Sequence, residues 1–500
     1  MANFVHMKKL ILLPLFWCCI SFNLATAQGI GAILAHSTFN IPGQSPYVEV
    51  YLEIIGNTLV YKQLPSGTFQ GSIQVTMIIK QDTIIKDFKK YELLSSEIQD
   101  TTGVTVNFID QQRFSLPNGN YTLELSIADK NDQKVAVSDP SVLQYPFSID
   151  FPGDKPSVST IQLVNSYVKS AQSNVLSKSG FDLVPMVDNY FPSGKDKLIF
   201  YGEIYNPQYS EGTDEKFVIS YYIESFENGR ILNDFARVKR EASKPVMVVL
   251  NEFDISKLPS GNYNLVVSLK DKNNSEVAYA STFFQRSNPA MNSLASDYST
   301  VDVTNSFALE ITGADTLREY IKSLSPIATQ MEKIFINYQA ETAPWTAMQQ
   351  YFKQFWESRN PLNPKEAWEI YKQQVKKVNA AFSTQVKKGY DTDMGYVYLK
   401  YGEPSTITDV PYDANRYNIP YQIWHYYSLN NGRERDKRFV FISSELTVRD
   451  YTLVHSTASG EIQNYNWQAM LIRKLDVNDA NYETLKKDRT RSGIHYNNPY

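Results

Sequence analysis

Cysteine is almost absent from this 500-residue chain: the two present, Cys18 and Cys19, both lie close to the N-terminus. If that leader is removed, no disulfide and no thiolate metal site can form. Histidine is scarce too, at five. None of His36, His425, His455 and His495 stands at the spacing of a helical metal pair, and no His-Glu-x-x-His occurs. His425, within "YQIWHYY", reads as a strand histidine among aromatics. The chain has no Gly-x-Ser-x-Gly elbow, no phosphate-cradling glycine loop and no dinucleotide fingerprint. An excess of one charge is also missing: 49 basic against 53 acidic residues give −4. That balance leaves no electrostatic footprint for nucleic acid. Past residue 27 no apolar run approaches the roughly 20 residues that span a bilayer. The expectation is a protein with no cofactor, no metal, no nucleic-acid partner and no transmembrane span after its leader.

The leader itself is legible. Lys8 and Lys9 precede an apolar run from Leu10 to Leu24, broken by Pro14, and Ala25-Thr26-Ala27 offers a small-x-small cleavage site. Residues 1–27 are read as a Sec signal peptide. The mature chain is expected in the periplasm, at the outer membrane or outside the cell. Lipid attachment at Cys18 or Cys19 fits less well, because Trp17 stands where a small residue is wanted.

What the chain does have is tyrosine, 34 against 26 phenylalanines, which suits half-buried strands. It also has a repeat. "LPNGNYTLELSIADKNDQKVA" from Leu116 aligns without a gap on "LPSGNYNLVVSLKDKNNSEVA" from Leu258. Leu-Pro-x-Gly-Asn-Tyr predicts a turn in which glycine supplies a positive φ. The alternation Tyr263, Leu265, Val267, Leu269 predicts the half-buried strand that follows. The spacing implies two immunoglobulin- or fibronectin-like sandwiches, 28–150 and 156–285, joined at "FPGDKPS". Such modules are spacers or docking units more often than catalysts.

From residue 290 to 388 the period becomes helical. Asp315 opens a run with Leu317, Tyr320, Ile321 and Leu324. Two further runs begin near Ile327 and Pro344. Asn363, Pro364 and Glu366 supply an N-cap, an N1 proline and a capping-box partner for the longest helix. Its stripe is Trp368, Tyr371, Val375, Val378, Phe382 and Val386. Gly389 is placed as a left-handed helix stop, and alternation through Tyr396–Tyr401 predicts a strand. Asp391 and Asp393 then occupy a short helix-to-strand turn. Three readings compete there. Asp391-x-Asp393-x-Gly395 resembles the opening of a calcium loop but lacks its later ligands. Asp391, Asp393 and Glu403 could serve as acid and base in a glycan-active or other hydrolase. Asp and Thr side chains could instead satisfy amides that the turn leaves unpaired, and this last reading is preferred. The charge run "NGRERDKR", Asn431–Arg438, reads as a solvated hairpin tip between Tyr426 and Phe439, with anionic-ligand binding as the second reading.

Gly389, Tyr390, Asp391, Thr392 and Asp393 resemble the Gly-Trp-x-Thr-Asp signature of the GWxTD domain, with tyrosine for tryptophan. "KKVNAAF", "GYVYLKYGEP", "IWHYY" and "FVFIS" extend the resemblance over roughly Asp315 to His455. It implies an exported bacterial protein with no established activity, and no catalytic residues to carry over. It also makes Gly389, Tyr390, Thr392, Asp393 and Gly395 a structural signature. The expected fold is multidomain: two all-β sandwiches, a helical segment, an α+β part over 389–475 and a tail over 476–500. The expected function is a non-catalytic interaction or scaffold module that binds an envelope protein or surface polymer; no oligomeric state follows.

Overall fold

A computed structural model of the chain describes residues 30–471, apart from 105, 133–141, 207, 210–215, 296–297, 412–418, 444–449 and 465–466. The expected leader (1–27) and tail (476–500) lie outside the described residues.

Alternating apolar side chains build the first unit. Its strands are β1 (Ala32–Phe39), β2 (Tyr47–Ile54), β3 (Tyr61–Gln63), β4 (Phe69–Gln81), β5 (Ile84–Leu94), β6 (Phe108–Ser115), β7 (Gly119–Asp129) and β8 (Leu143–Ile149). One sheet runs β1-β2-β6; the other runs β3-β4-β7-β8, with β5 also on β4. Val48, Val50, Leu52 and Ile54 of β2 share one core with Ile73, Val75, Met77 and Ile79 of β4 and with Leu123 and Leu125 of β7. Every second residue of each strand goes inward, as a sandwich requires.

The second unit repeats the plan. It comprises β9 (Ser157–Val158), β10 (Gln162–Lys169), β11 (Ser177–Lys178), β12 (Phe181–Pro185), β13 (Tyr190–Phe191), β14 (Lys197–Tyr205), β15 (Lys216–Ser225), β16 (Ile231–Ala242), β17 (Val246–Asp254), β18 (Gly261–Lys270) and β19 (Glu276–Arg286). Its sheets run β11-β12-β10-β14-β17, with β9 on β14, and β13-β19-β18-β15-β16. The sequence repeat occupies equivalent places. Gly119 opens β7 and Gly261 opens β18. The Tyr121 hydroxyl donates to Pro117 O at 2.8 Å and that of Tyr263 to Pro259 O at 3.0 Å. Each ring then stacks on a phenylalanine of the next strand, Phe147 or Phe284. The two glycines, however, are not among the positive-φ residues. Space is tight at both: a Cβ on Gly261 would stand 3.0 Å from the Tyr263 ring, and one on Gly119 would stand 3.0 Å from Gln81 Nε2 and 3.4 Å from the Tyr121 ring.

Between the sandwiches, Phe39, Val164, Leu183, Ile199 and Tyr201 form a small shared core. Glu49 of β2 is fully buried beside it. Its carboxylate takes Arg113 at 2.6 Å, Lys178 of the second unit at 2.5 Å and the Tyr51 hydroxyl at 2.6 Å. Burial pulls the Lys178 ammonium down to about 8, against the opposing pull of Glu49.

The third part begins with helices: α1 (Pro289–Ala295), α2 (Ala314–Ser323), α3 (Gln330–Ile334), α4 (Trp345–Glu357), α5 (Pro364–Phe382) and α6 (Asp393–Tyr401). Leu317, Ile321, Phe352, Phe355, Trp356, Trp368, Tyr371 and Val378 make their core. A four-stranded meander follows, β20 (Thr406–Val410), β21 (Tyr421–Leu429), β22 (Glu434–Ile442) and β23 (Thr452–Ser456), in that order. Met394 and Val397 of α6 cover one face over Trp424, Tyr426 and Phe439. Trp467 and Leu471 cover the other over Ile423 and Val440.

Three expectations fail in this part. Tyr396–Tyr401 is helical, within α6, rather than a strand. Thr392 caps it by accepting from Gly395 N, and Gly402 stops it at φ +84°. Met394, Val397, Tyr398 and Tyr401, three or four apart, all join the core beneath, so the helical period prevails over the apparent alternation. The preceding helix stops at Phe382, which leaves Val386 87% exposed rather than in the buried stripe. Asn363 stands at its N-cap without a side-chain bond; the capping box that forms is Thr329 with Glu332, on α3.

His455 of β23 is 0% exposed, accepts the Asn464 N–H on Nδ1 at 3.1 Å, and is lowered to about 4 by burial. A group held below its unfolded value of 6.5 lets the unfolded chain bind the proton first, so stability is present above that pH and lost as pH falls toward 4. Melting temperature measured from pH 7 to pH 4 is therefore expected to fall across this window. His455→Asn should be less stable at pH 7 and show a shallower fall.

Candidate functional site

The signature turn is a steric device. Gly389 and Tyr390 lie in a single 3-10 turn, followed by the N-cap Thr392. The Thr392 hydroxyl donates to Gly389 O at 2.7 Å and accepts from Gly395 N at 3.1 Å. Gly389 is not a left-handed helix stop, since its φ is not positive. It is glycine because a Cβ there would stand 2.2 Å from Val378 O of α5. A Cβ on Gly395 would stand 1.8 Å from Gly389 O. The two glycines let α5, the turn and α6 cross at backbone contact.

Tyr390 is 4% exposed, in the helical core with Trp368, and its hydroxyl donates to Glu319 Oε1 at 2.9 Å. Asp393 Oδ2 accepts the Leu453 N–H of β23 at 2.8 Å, which ties the start of α6 to the sheet. Asp391 is exposed; partial desolvation and the neighbouring Glu319 raise its carboxyl. Glu403 is exposed beyond the end of α6. Among the described residues no three His, Cys, Asp or Glu side chains group as metal ligands.

The large concavity lies elsewhere. A cavity of about 1960 Å³ is walled by all three parts of the fold. Sandwich 1 contributes Ile33–Ser37 of β1 and Gln144–Ile149 of β8; sandwich 2 contributes Thr160–Leu163 and Ser281–Phe283 of β19; the third part contributes Arg435–Arg438 of β22 and Thr457. No signature residue lines it, nor does Glu403. The charge run read as a solvated hairpin tip begins in the turn between β21 and β22, and its second half, Arg435–Arg438, is a cavity wall. Arg433 at its start pairs with the buried Glu224 of β15. Asp436 takes His425 Nε2 at 2.5 Å and Arg438 at 3.0 Å, and the bond from His425 holds its carboxyl below the usual range. His36 of β1 meets the Tyr145 hydroxyl at 3.1 Å and is lowered to about 4 by burial and by Lys437 across the cavity. Sequence reasoning gave the charge run an anion-binding role only in second place and did not bring the other residues to it, because they converge only when three units assemble. The one available signal was the density of charge in Arg433–Arg438.

Gly395→Ala is expected to destabilise the chain by about 3 kcal/mol or more, since the contact is backbone on backbone and cannot yield. Asp393→Ala orphans the Leu453 amide and should cost about 1–3 kcal/mol. Urea unfolding measures both, and any binding should weaken only where folding does.

Residues 298–470 match the GWxTD domain family. No curated protein matches the chain. Among solved structures it is similar to red sea bream transglutaminase (9% identity, 52% of this chain and 31% of that one, TM-score 0.17). It is also similar to a glycosyl hydrolase family 2 member from Bacteroides cellulosilyticus (10% identity, 49% and 30%, TM-score 0.19). A third is the set of fibronectin(III)-like modules of Clostridium thermocellum CbhA (11% identity, 48% and 85%, TM-score 0.13). The chain spans less than a third of the length of the first two. Two β-sandwiches precede the matched region, and the chain is a GWxTD domain-containing protein.

Proposed function

We propose that this is a non-catalytic interaction protein of the cell envelope, and that it holds a segment of a partner in the cavity between its three parts. The observation that carries this reading is the cavity's size and make-up. At about 1960 Å³ it exceeds the roughly 300–1,000 Å³ of small-molecule sites, which suits a length of polymer. Its walls are rich in uncharged hydrogen-bonding groups, among them Asn120, Gln144, Thr160, Ser281 and Gln463. The leader expected over residues 1–27 is the ground for reading the chain as exported, and no described helix is long and apolar enough to cross a membrane.

The hydrolase alternative draws no support from the turn. Acid–base catalysis needs two carboxyl groups converging on one bond. Asp393 is committed to the Leu453 amide, and Asp391, Asp393 and Glu403 all lie away from the cavity lining.

Affinity capture from envelope extracts tests the proposal. Ser281→Trp, which fills the cavity from β19, is expected to lose the partner recovered by the wild type. Asp391→Asn should recover it unchanged. Loss with Asp391→Asn but not with Ser281→Trp would contradict the reading.

A further inference from the structure

Strand β1 lines the cavity with its edge rather than its face. A strand that shows a face contributes every second residue, whereas Ile33, Leu34, Ala35, His36 and Ser37 all line the cavity in succession. The register fixes which backbone groups point there. Ile55 N bonds Gly31 O, and β1 pairs with β2 without a bulge from Ala32↔Ile54 to Phe39↔Tyr47. In an antiparallel pair the bonded positions alternate. Ile33, Ala35 and Ser37 therefore bond to β2, while Ala32, Leu34, His36 and Thr38 present N–H and C=O outward. At Thr38 that outward edge is already used: its N–H donates to Thr160 Oγ1 at 3.1 Å, and its carbonyl accepts from Thr160 N at 3.2 Å. At Leu34 and His36 no such partner exists among the described residues.

Edges left open in this way are templates for another strand, and proteins usually blunt them with proline, charge or a bulge. The strand "AILAHSTF" has no proline and no Lys, Arg, Asp or Glu, and its register is unbroken. Its neighbour β8, by contrast, carries Pro146. Across the cavity stands β22. The charge acting on His36 is that of Lys437, which meets Glu434 at a long 3.4 Å, and Arg435 beside it is exposed with no ion pair among the described residues. Of the five acids lining the same cavity, Asp82, Asp150 and Asp188 come from turns and loops; Asp436 is occupied by His425 and Arg438, and Glu461 by Lys400.

We propose that β1 is a docking edge for an extended acidic peptide segment of a partner protein, which adds as a strand along Ala32–His36 while its carboxylates meet Arg435 and Lys437. Main-chain bonds to Leu34 and His36 supply the attachment, and the facing cations select the charge. The free edge accommodates about five residues, roughly 17 Å of strand. The inference rests on the cavity being the binding site.

The test is selection of a phage-displayed random dodecapeptide library on the full chain, then hydrogen exchange with the selected peptides. Expected are sequences enriched in Asp and Glu that slow exchange at Leu34 and His36. Ala32→Pro removes an outward N–H at an exposed position, a place where an edge strand tolerates proline, and should weaken binding by about tenfold while leaving the melting temperature near wild type. Arg435→Glu should weaken it at least as much without touching the edge. Selected peptides that are basic or uncharged overturn the inference. So does protection on β19 and β22 without β1, or protection by chitohexaose and by no peptide; in those last two cases the cavity remains a binding site. If neither peptide nor glycan changes exchange anywhere in the cavity walls, both readings fail.

Discussion

The arrangement of the three parts depends on charges withdrawn from water at their seams. Glu49 is fully buried at the first seam and is neutralised from both sides, by Arg113 of its own sheet and Lys178 of the next unit. Tyr201 and Tyr205 of the second unit both donate to Glu203 nearby, and Asn40 of the first donates to the Tyr205 hydroxyl at 2.9 Å. At the second seam the buried Glu224 of β15 is met by Arg433. Lys400 and Glu461 pair at 2.7 Å under the Phe226 ring. Such pairs add little net stability against apolar replacements, but breaking one strands a charge at a cost of about 3–5 kcal/mol. Their effect is on orientation. A sandwich rotated out of place would leave Glu49 or Glu224 without its counter-ion, and the cavity keeps its shape because that state is expensive.

Within the GWxTD domain the corresponding constraint is steric. Gly389 and Gly395 permit a crossing in which carbonyls of α5 and of the turn occupy the space of two Cβ atoms. Thr392 closes the turn on itself, and Asp393 carries the connection across to β23. Tyr390 completes the plug and anchors its hydroxyl on Glu319. The signature thus holds helix, turn and sheet together. It stands apart from the cavity.

Much of this was legible in the chain. The repeat gave the paired sandwiches, because an ungapped match must place Tyr121 and Tyr263 alike. The apolar stripe gave the long helix as far as Phe382. The failures share one cause: local pattern was read without the neighbour that decides it. Tyr396–Tyr401 alternates in sequence, but the cap at Thr392 and the core beneath α6 make it helical. Gly389, Gly119 and Gly261 look like turn glycines, yet none has a positive φ and space is tight at each. Arg435–Arg438 looks like a tip, and only the opposing sandwiches turn it into a wall. Sites formed between units leave no contiguous motif to read.

The central claim is that the cavity, and not the signature turn, receives the partner. Site-specific photo-crosslinking in living cells tests it most directly, with a benzophenone amino acid placed at Ser281 in the cavity wall or at Asp391 on the turn. The account predicts a discrete higher-mass adduct from position 281 and none from 391. An adduct from 391 with none from 281 would contradict it.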